Sequence, residues 1–329
     1  MTQISLVKKI LAVVFLTGSF LGIYTSSLVA KTSDQPYNAP EIVGIESWIN
    51  SQPLKIAALK GQVVLVDFWT YSCINCIRTL PHIKDWHEKY HDKGLVIIGV
   101  HAPEFEFEKS LLNVKKAVEK FEIKYPVALD SNLKTWNNYS NHYWPAHYLI
   151  NKEGKVVEVH FGEGNYENTE NKIRELLGLE KLGAEKFVVK NSSESQFKKQ
   201  SPETYLGSDR ARNNVNEDLK NLNFPSAMAL DKWSLSGKWK IAREYIESGR
   251  KGDAIRFNFE AKKVFLVMEN VSKKPIKAEI FVNEKLVKNV EITSSQLYEL
   301  ADLKDSTQAI IEIKFNNSGA RAYAFTFGN

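Results

Sequence analysis

The sequence predicts an α/β unit, a mixed β-sheet flanked by helices, followed by an all-β sandwich of jelly-roll type. Three observations carry this reading. Short apolar runs such as Val63-Val64-Leu65-Val66 alternate with stretches of helical spacing through residues 45–180, the pattern of a sheet covered by helices. Residues 181–202 lose that pattern, and Lys190-Asn191-Ser192-Ser193-Glu194-Ser195 followed by Lys198-Lys199-Gln200-Ser201-Pro202 reads as a polar linker. Through residues 203–329 the period drops to two, as short alternating strands require.

The first thirty residues stand apart. Lys8-Lys9 precedes Ile10-Leu11-Ala12-Val13-Val14-Phe15-Leu16, and a mostly apolar stretch runs on to Ala30 before Lys31. A short basic region, an apolar segment and a small terminal residue make a secretory signal. Leu28 is larger than the residue usual two positions before cleavage, and residues 10–30 nearly suffice to span a bilayer. Residues 1–30 are therefore read as a signal peptide or an inner-membrane anchor, with cleavage favoured. Both place the remainder in the periplasm or another extracytoplasmic, oxidising compartment. Residues 31–44, polar and carrying Pro36 and Pro40, form a tether.

A chain of 329 residues with 43% apolar content can bury a core in each of two domains. The formal charge is +5, two units of which belong to Lys8 and Lys9, and no long basic run is present. This argues against nucleic acid as a partner. Only two cysteines occur, Cys73 and Cys76, so an exported chain would hold no disulfide framework and the pair is there for reactivity.

Within residues 45–180, Ser47-Trp48-Ile49-Asn50 and Leu54–Gly61 lead into Val63-Val64-Leu65-Val66-Asp67-Phe68-Trp69, whose β-branched start suits a strand buried on both faces. The chain turns at Thr70-Tyr71-Ser72 into a helix marked by Ile77, Leu80, Ile83 and Trp86, with Ser72 as the expected N-cap. Gly94–Val100 is a second buried strand. A helix with Leu111, Leu112, Val114, Ala117, Val118 and Phe121 on its apolar side follows. Next come Tyr125-Pro126-Val127-Ala128-Leu129 and the Leu133–Tyr139 segment. His147-Tyr148-Leu149-Ile150 and Lys155-Val156-Val157-Glu158-Val159 flank a turn at Asn151–Gly154, a hairpin, and a helix with Ile173, Leu176 and Leu177 stops at Gly178. Beyond Trp233, Ile255/Phe257/Phe259, Ile280/Val282, Ile311/Ile313/Phe315 and Tyr323/Phe325/Phe327 alternate, punctuated by Lys274-Pro275 and Asn316–Gly319.

The chemistry concentrates at Cys73-Ile74-Asn75-Cys76. Two thiols three residues apart at a helix start can close a small, readily reopened disulfide, and the positive helix end favours a thiolate at the first. Asp67 lies inside the preceding strand, where a carboxylate is costly to bury. Six residues before Cys73, it could lie beneath the thiols and shuttle a proton to or from Cys76. Zinc held by Cys73, Cys76, His87 and His91 is a weaker reading, because zinc fingers do not follow a buried strand in this way. Covalent haem would need His after Cys76, where Ile77 stands. A loop so short constrains the unfolded chain little, which disfavours a purely structural disulfide.

Asp67-Phe68-Trp69, the Cys73/Cys76 pair, Pro81, and Trp144-Pro145 before a strand resemble the thioredoxin superfamily. The inserted segment between Val100 and Trp144 is similar to that of its membrane-tethered periplasmic reductases, of TlpA/ResA type. The resemblance implies a thioredoxin-like fold and a cis Pro145 facing the cysteines. In the second unit, Pro202-Glu203-Thr204-Tyr205-Leu206-Gly207, Arg210-Ala211, Leu297-Tyr298-Glu299-Leu300 and Tyr323–Gly328 resemble the C-terminal, carbohydrate-binding-module-like sandwich of DipZ-type thiol:disulfide interchange proteins. That family's membrane electron-transfer domain has no counterpart in the sequence, so the resemblance implies a separate membrane electron donor.

The function expected is an exported thiol:disulfide oxidoreductase reducing disulfide-containing envelope proteins, with no cofactor beyond the Cys73–Cys76 disulfide. Cys73 attacks and Cys76, helped by Asp67, resolves the mixed disulfide. Trp69, Tyr71, Trp144 and Pro145 are the expected substrate-binding rim. Ile74-Asn75 puts no positive charge between the thiols, which points to a potential of about −270 to −200 mV. Two alternatives compete. Thr70 before Cys73 hints at a thiol peroxidase, although Asp67 occupies the place of the proline such sites carry. The sandwich could instead bind envelope glycan through Trp233, Trp239 and Tyr245, with the redox unit as an accessory.

Overall fold

Period-two alternation sorts the central strand onto two cores. In the computed structural model, which describes residues 35–183, 200–216, 222–272 and 274–328, the run Val63–Trp69 is one strand with every side chain buried. Val63, Leu65 and Trp69 join one apolar cluster and Val64, Val66 and Phe68 the opposite one. The leader over residues 1–30, the start of the tether and residues 184–199 of the linker lie outside the described residues.

The elements of the first unit, in order, are β1 (Tyr37–Asn38), β2 (Ser47–Ile49), β3 (Val63–Trp69), α1 (Ile74–Tyr90), β4 (Leu95–His101), α2 (Leu111–Lys120), β5 (Val127–Leu129), α3 (Lys134–Asn138), β6 (Ala146–Ile150), β7 (Lys155–Phe161) and α4 (Tyr166–Leu177). They build a seven-stranded mixed sheet of order β1-β7-β6-β3-β4-β5-β2. β4 runs parallel to β3 and β5, and the remaining pairs are antiparallel. Leu80, Ile83 and Trp86 of α1 and Ile173 of α4 cover one face, while Trp136 of α3 and Tyr139 cover the other. Part of the segment read as tether belongs to this unit: Tyr37 and Asn38 pair with Val156 and Lys155, and Ile42 is buried. Leu112, expected on the apolar side of α2, is 61% exposed, because the buried stripe runs through Val114, Ala117 and Val118.

The second unit comprises β8 (Thr204–Tyr205), β9 (Trp233–Ser236), β10 (Trp239–Ile241), β11 (Ile246–Ser248), β12 (Ala254–Asn270), β13 (Ile276–Val282), β14 (Lys285–Ile292), β15 (Gln296–Phe315) and β16 (Ala320–Gly328). It is all-β, as the alternation requires, but its layers belong to one continuous curled sheet. β12 and β15 pair along their length, with irregular register at Ala261–Lys263 where the ladder bends. β9 pairs with the first half of β12 and β16 with the second. Phe257, Phe259, Ile311, Ile313, Phe315, Phe325 and Phe327 fill the interior. Ser201, assigned to the linker, is already part of this unit: it donates its backbone N–H to Glu260 and its hydroxyl to Asp231.

The two units are packed against each other beside the cysteine motif. The rings of Phe105 and Phe107, in the segment between β4 and α2, lie 4.9 and 4.8 Å from that of Tyr323 in β16. Tyr205 Oη donates to Glu104 Oε1 at 2.6 Å, and Arg210 reaches the same oxygen at 2.9 Å while covering the Tyr205 ring. The Glu106 N–H donates to Glu244, and Lys120 to Gln296. On α1, Arg78 lies against the carbonyl of Phe327 so closely that a Cβ on Gly328 would fall 1.9 Å from its Nη2. Only glycine admits this approach.

Candidate active site

The strand β3 ends at Trp69, and Thr70-Tyr71-Ser72 turn the chain into α1. The helix begins one residue later than Ser72 as N-cap would require. Cys73 itself is the cap, with extended backbone, and its sulfur accepts the N–H of Cys76 at 3.4 Å. A thiolate here would be held by a donor that the helix leaves otherwise unpaired. Cys73 is half-buried and Cys76 buried, and both are free thiols. Burial pushes the Cys76 thiol well above its usual pKa; the adjacent Cys73 sulfur adds to this, and Asp67 contributes a smaller electrostatic push. The arrangement can expose one sulfur to a partner while reserving the other as an internal nucleophile that needs help losing its proton.

The floor beneath Cys76 is polar. Asp67 is 2% exposed and lies on the face of the sheet that α1 covers. Directly opposite on β6 stands His147, whose Nε2 is 3.3 Å from Asp67 Oδ1. His147 in turn faces His160 on β7, the two rings stacked 6.0 Å apart. Burial drives His160 down to about 4, helped by the neighbouring His147, so the His160 ring is neutral. From the other side Tyr125, fully buried, reaches close enough to Asp67 and Cys76 for their charges to raise its own pKa further.

A second buried carboxylate supports the turn. Glu108 accepts the Ser72 hydroxyl at 2.6 Å on one oxygen and the N–H groups of Glu104 and Phe105, at 2.7 and 3.0 Å, on the other. Burial raises it to about 7, partly offset by the hydrogen bonds from Ser72 and Thr70. Ser72, instead of capping the helix, is thus tied to the inserted segment.

Trp144-Pro145 is a cis peptide, and the Trp144 carbonyl lies 4.0 Å from Cys73 Sγ. The Trp144 ring is half-buried, tilted against Trp136 with ring centres 4.2 Å apart and donating to the Ala102 carbonyl. Two members of the expected rim are elsewhere. Trp69 is 1% exposed because β3 points it beneath β4, where its Nε1 would lie 3.0 Å from a Cβ on Gly99. Tyr71 is stacked on His101 at 5.6 Å and covered by Phe107. Tyr143, not among the expected rim residues, is 47% exposed beside Trp144.

His87 does not join the thiols: eleven residues of helix carry it roughly 16 Å along α1 from Cys76. The three rings considered as sugar platforms are engaged within the protein. Trp233 is buried and donates to the Arg212 carbonyl, Trp239 meets Phe315 edge-on, and Tyr245 lies between Tyr323 and Arg321.

Sequence reasoning missed Glu108 and His147. His147 had a weak signal, an ionisable residue in an apolar strand just after Pro145, but its place opposite Asp67 is set by a β3–β6 register that the sequence does not show. Glu108 had no such signal, since a Glu in an inserted loop is ordinarily solvated.

Two family models match the chain, Redoxin over residues 38–177 and Thioredoxin like C-terminal domain over residues 201–328. Protein DipZ of Mycobacterium tuberculosis is 39% identical over 241 residues, covering 70% of this chain and 35% of that protein. The chain thus spans about a third of the length of the DipZ proteins it matches. Thiol-disulfide oxidoreductase ResA of Bacillus cereus is 33% identical over 128 residues, covering 39% of this chain and 71% of that protein. Among solved structures, a thiol:disulfide interchange protein of the thioredoxin family from Chlorobium tepidum aligns with 44% of this chain and 98% of its own, at 23% identity and a TM-score of 0.38.

Proposed function

Because the chain belongs to the thioredoxin superfamily, as a ResA-like redoxin unit joined to the C-terminal module found in DipZ proteins, we propose that it is an exported thiol:disulfide oxidoreductase that reduces protein disulfides. The observation that carries this reading is the asymmetry of the two sulfurs: Cys73 half-buried at the helix cap, Cys76 buried with its thiol pKa raised. An accessible thiolate attacks first, and a sheltered thiol resolves.

Cys73 Sγ attacks a partner disulfide, forming a mixed disulfide and releasing one partner sulfur as a thiolate. Asp67 takes the proton of Cys76, and the resulting thiolate attacks Cys73 Sγ. The Cys73–Cys76 bond forms, the bond to the partner breaks, and the second partner sulfur leaves with the electron pair. The protein ends oxidised by two electrons and the partner reduced by two. The electrons travel in the dithiol itself, so no other cofactor enters the scheme, and a separate membrane protein would restore the thiols. The leader-like residues 1–30 support action outside the cytoplasm, on envelope proteins.

Cys76→Ser removes the resolving sulfur. Expressed in the source cells, this variant should retain partners on Cys73 as mixed disulfides that reductant releases and that Cys73→Ser does not form. A variant that captures no protein where the wild type is made would refute protein disulfides as the substrate.

A further inference from the structure

Three ionisable side chains form a row across three adjacent strands. Asp67 on β3, His147 on β6 and His160 on β7 occupy facing register positions and therefore share one face of the sheet. All three are at most 4% exposed. Asp67 Oδ1, His147 Nε2 and both His160 ring nitrogens lack a well-aligned hydrogen-bond partner among the described residues, although the first two approach within 3.3 Å. Buried polar atoms are rarely left in this state without a use. The row starts beneath Cys76 and ends at β7, whose outer neighbour β1 pairs with only Lys155 and Val156 and leaves the His160 end of the strand without a partner strand.

We propose that Asp67, His147 and His160 form a proton path between the floor under Cys76 and the sheet edge, with His147 acting through Asp67. The inference rests on the reading of Asp67 as the proton acceptor for Cys76. The Cys76 proton passes to Asp67; the thiolate attacks Cys73 Sγ and expels the partner sulfur, which takes a proton from solvent. Asp67 gives its proton to His147, and His160 returns one to solvent, restoring the carboxylate. The two ring centres stand 6.0 Å apart with no direct hydrogen bond between them, so this step runs through a bridging water.

The groups facing His147 from each packed element are known. β3 supplies Asp67 and β7 supplies His160 and Glu158. α1 supplies His82, which burial lowers and which stacks on Tyr166 of α4 at 3.6 Å. Glu158 accepts the hydroxyl of Thr169 on α4 and is raised by burial. Among the histidines of this cluster, His147 is the one paired directly opposite Asp67.

The test follows the two-phase reaction of the reduced protein with the aromatic disulfide DTNB. The first thionitrobenzoate released reports attack by Cys73, and the second reports attack by Cys76. His147→Gln should slow the second phase about tenfold at pH 7, a part of the ~10²–10⁴ that proton transfer contributes, and leave the first within about twofold. The double variant Asp67→Asn/His147→Gln should be no slower than Asp67→Asn, because His147 has no route except through the carboxylate. His160→Gln, at the sheet edge, should slow the second phase several-fold and guards against misfolding of the His147 variant. A second phase unchanged in both His variants overturns the path, as does a double variant slowed by the product of the single effects. If Asp67→Asn is slow and His147→Gln is not, the path fails while the role of Asp67 stands; if Asp67→Asn is unaffected, that role fails too, and with it the path.

Discussion

Replacing Glu108 by Gln should change the pH dependence of stability by an amount readable from the structure. Its carboxyl is fully buried and raised to about 7, against a usual value of 4.5. Between these values the folded chain holds a proton that the unfolded chain has released, so the contribution of this group is fully present below about 4.5 and lost as pH rises through about 7. At 1.36 kcal/mol per pH unit, the loss is about 3 kcal/mol. Gln mimics the protonated acid: its oxygen can accept the N–H groups of Glu104 and Phe105, while its amide faces the Ser72 hydroxyl. Raw wild-type stability will not isolate the effect, because His101, driven by burial to about 3, acts in the opposite sense and weakens the fold as pH falls below about 6.5. The difference between the two proteins cancels that background. Urea unfolding of reduced wild type and Glu108→Gln from pH 4.5 to 8 should show the variant gaining about 3 kcal/mol relative to wild type across the range. A difference constant to within about 1 kcal/mol would mean that Glu108 ionises as it would in water, and the account of the Ser72 turn would be wrong.

Two further outcomes follow from the same geometry. Equilibration with glutathione should give a Cys73/Cys76 potential of about −270 to −200 mV, since no cation lies between the thiols; a value near −120 mV would reverse the assigned direction. Tyr323→Ala removes a ring that is 2% exposed and packed between the units against Phe105 and Phe107, which costs about 3–5 kcal/mol. Calorimetry should then show a lowered transition, or two in place of one; an unchanged single transition would show that the contact does not couple the units.

What could be read from the chain alone was whatever depends on periodicity. The alternation of β3, the helical spacing of α1 and the period-two strands of the second unit follow from side-chain direction. That fixes which residues are inside without saying what stands across from them. Asp67 was legible as an anomaly in an apolar run, whereas its neighbour His147 was not, because pairing β3 with β6 joins residues eighty positions apart. The misplaced rim has the same origin. Trp69 and Tyr71 flank the motif in sequence, but Trp69 continues the inward alternation of β3, and the inserted segment with Phe107 closes over Tyr71. The cap shifted from Ser72 to Cys73 because a distant acceptor, Glu108, claims the serine hydroxyl.

The docking of the second unit bears on how a partner can approach. On one side of the motif, Arg78 is held by the Phe327 carbonyl and by Glu163. On the other, Glu104 is held by Tyr205 and Arg210, next to the Ala102 carbonyl that receives the Trp144 indole. Beside Cys73, the Trp144 carbonyl lies 4.0 Å from the sulfur and the adjoining Tyr143 is 47% exposed. An extended segment laid there can hydrogen-bond to backbone and place its own sulfur over Cys73 without disturbing either flank. The second unit thus contributes side chains and backbone to both flanks of the dithiol motif.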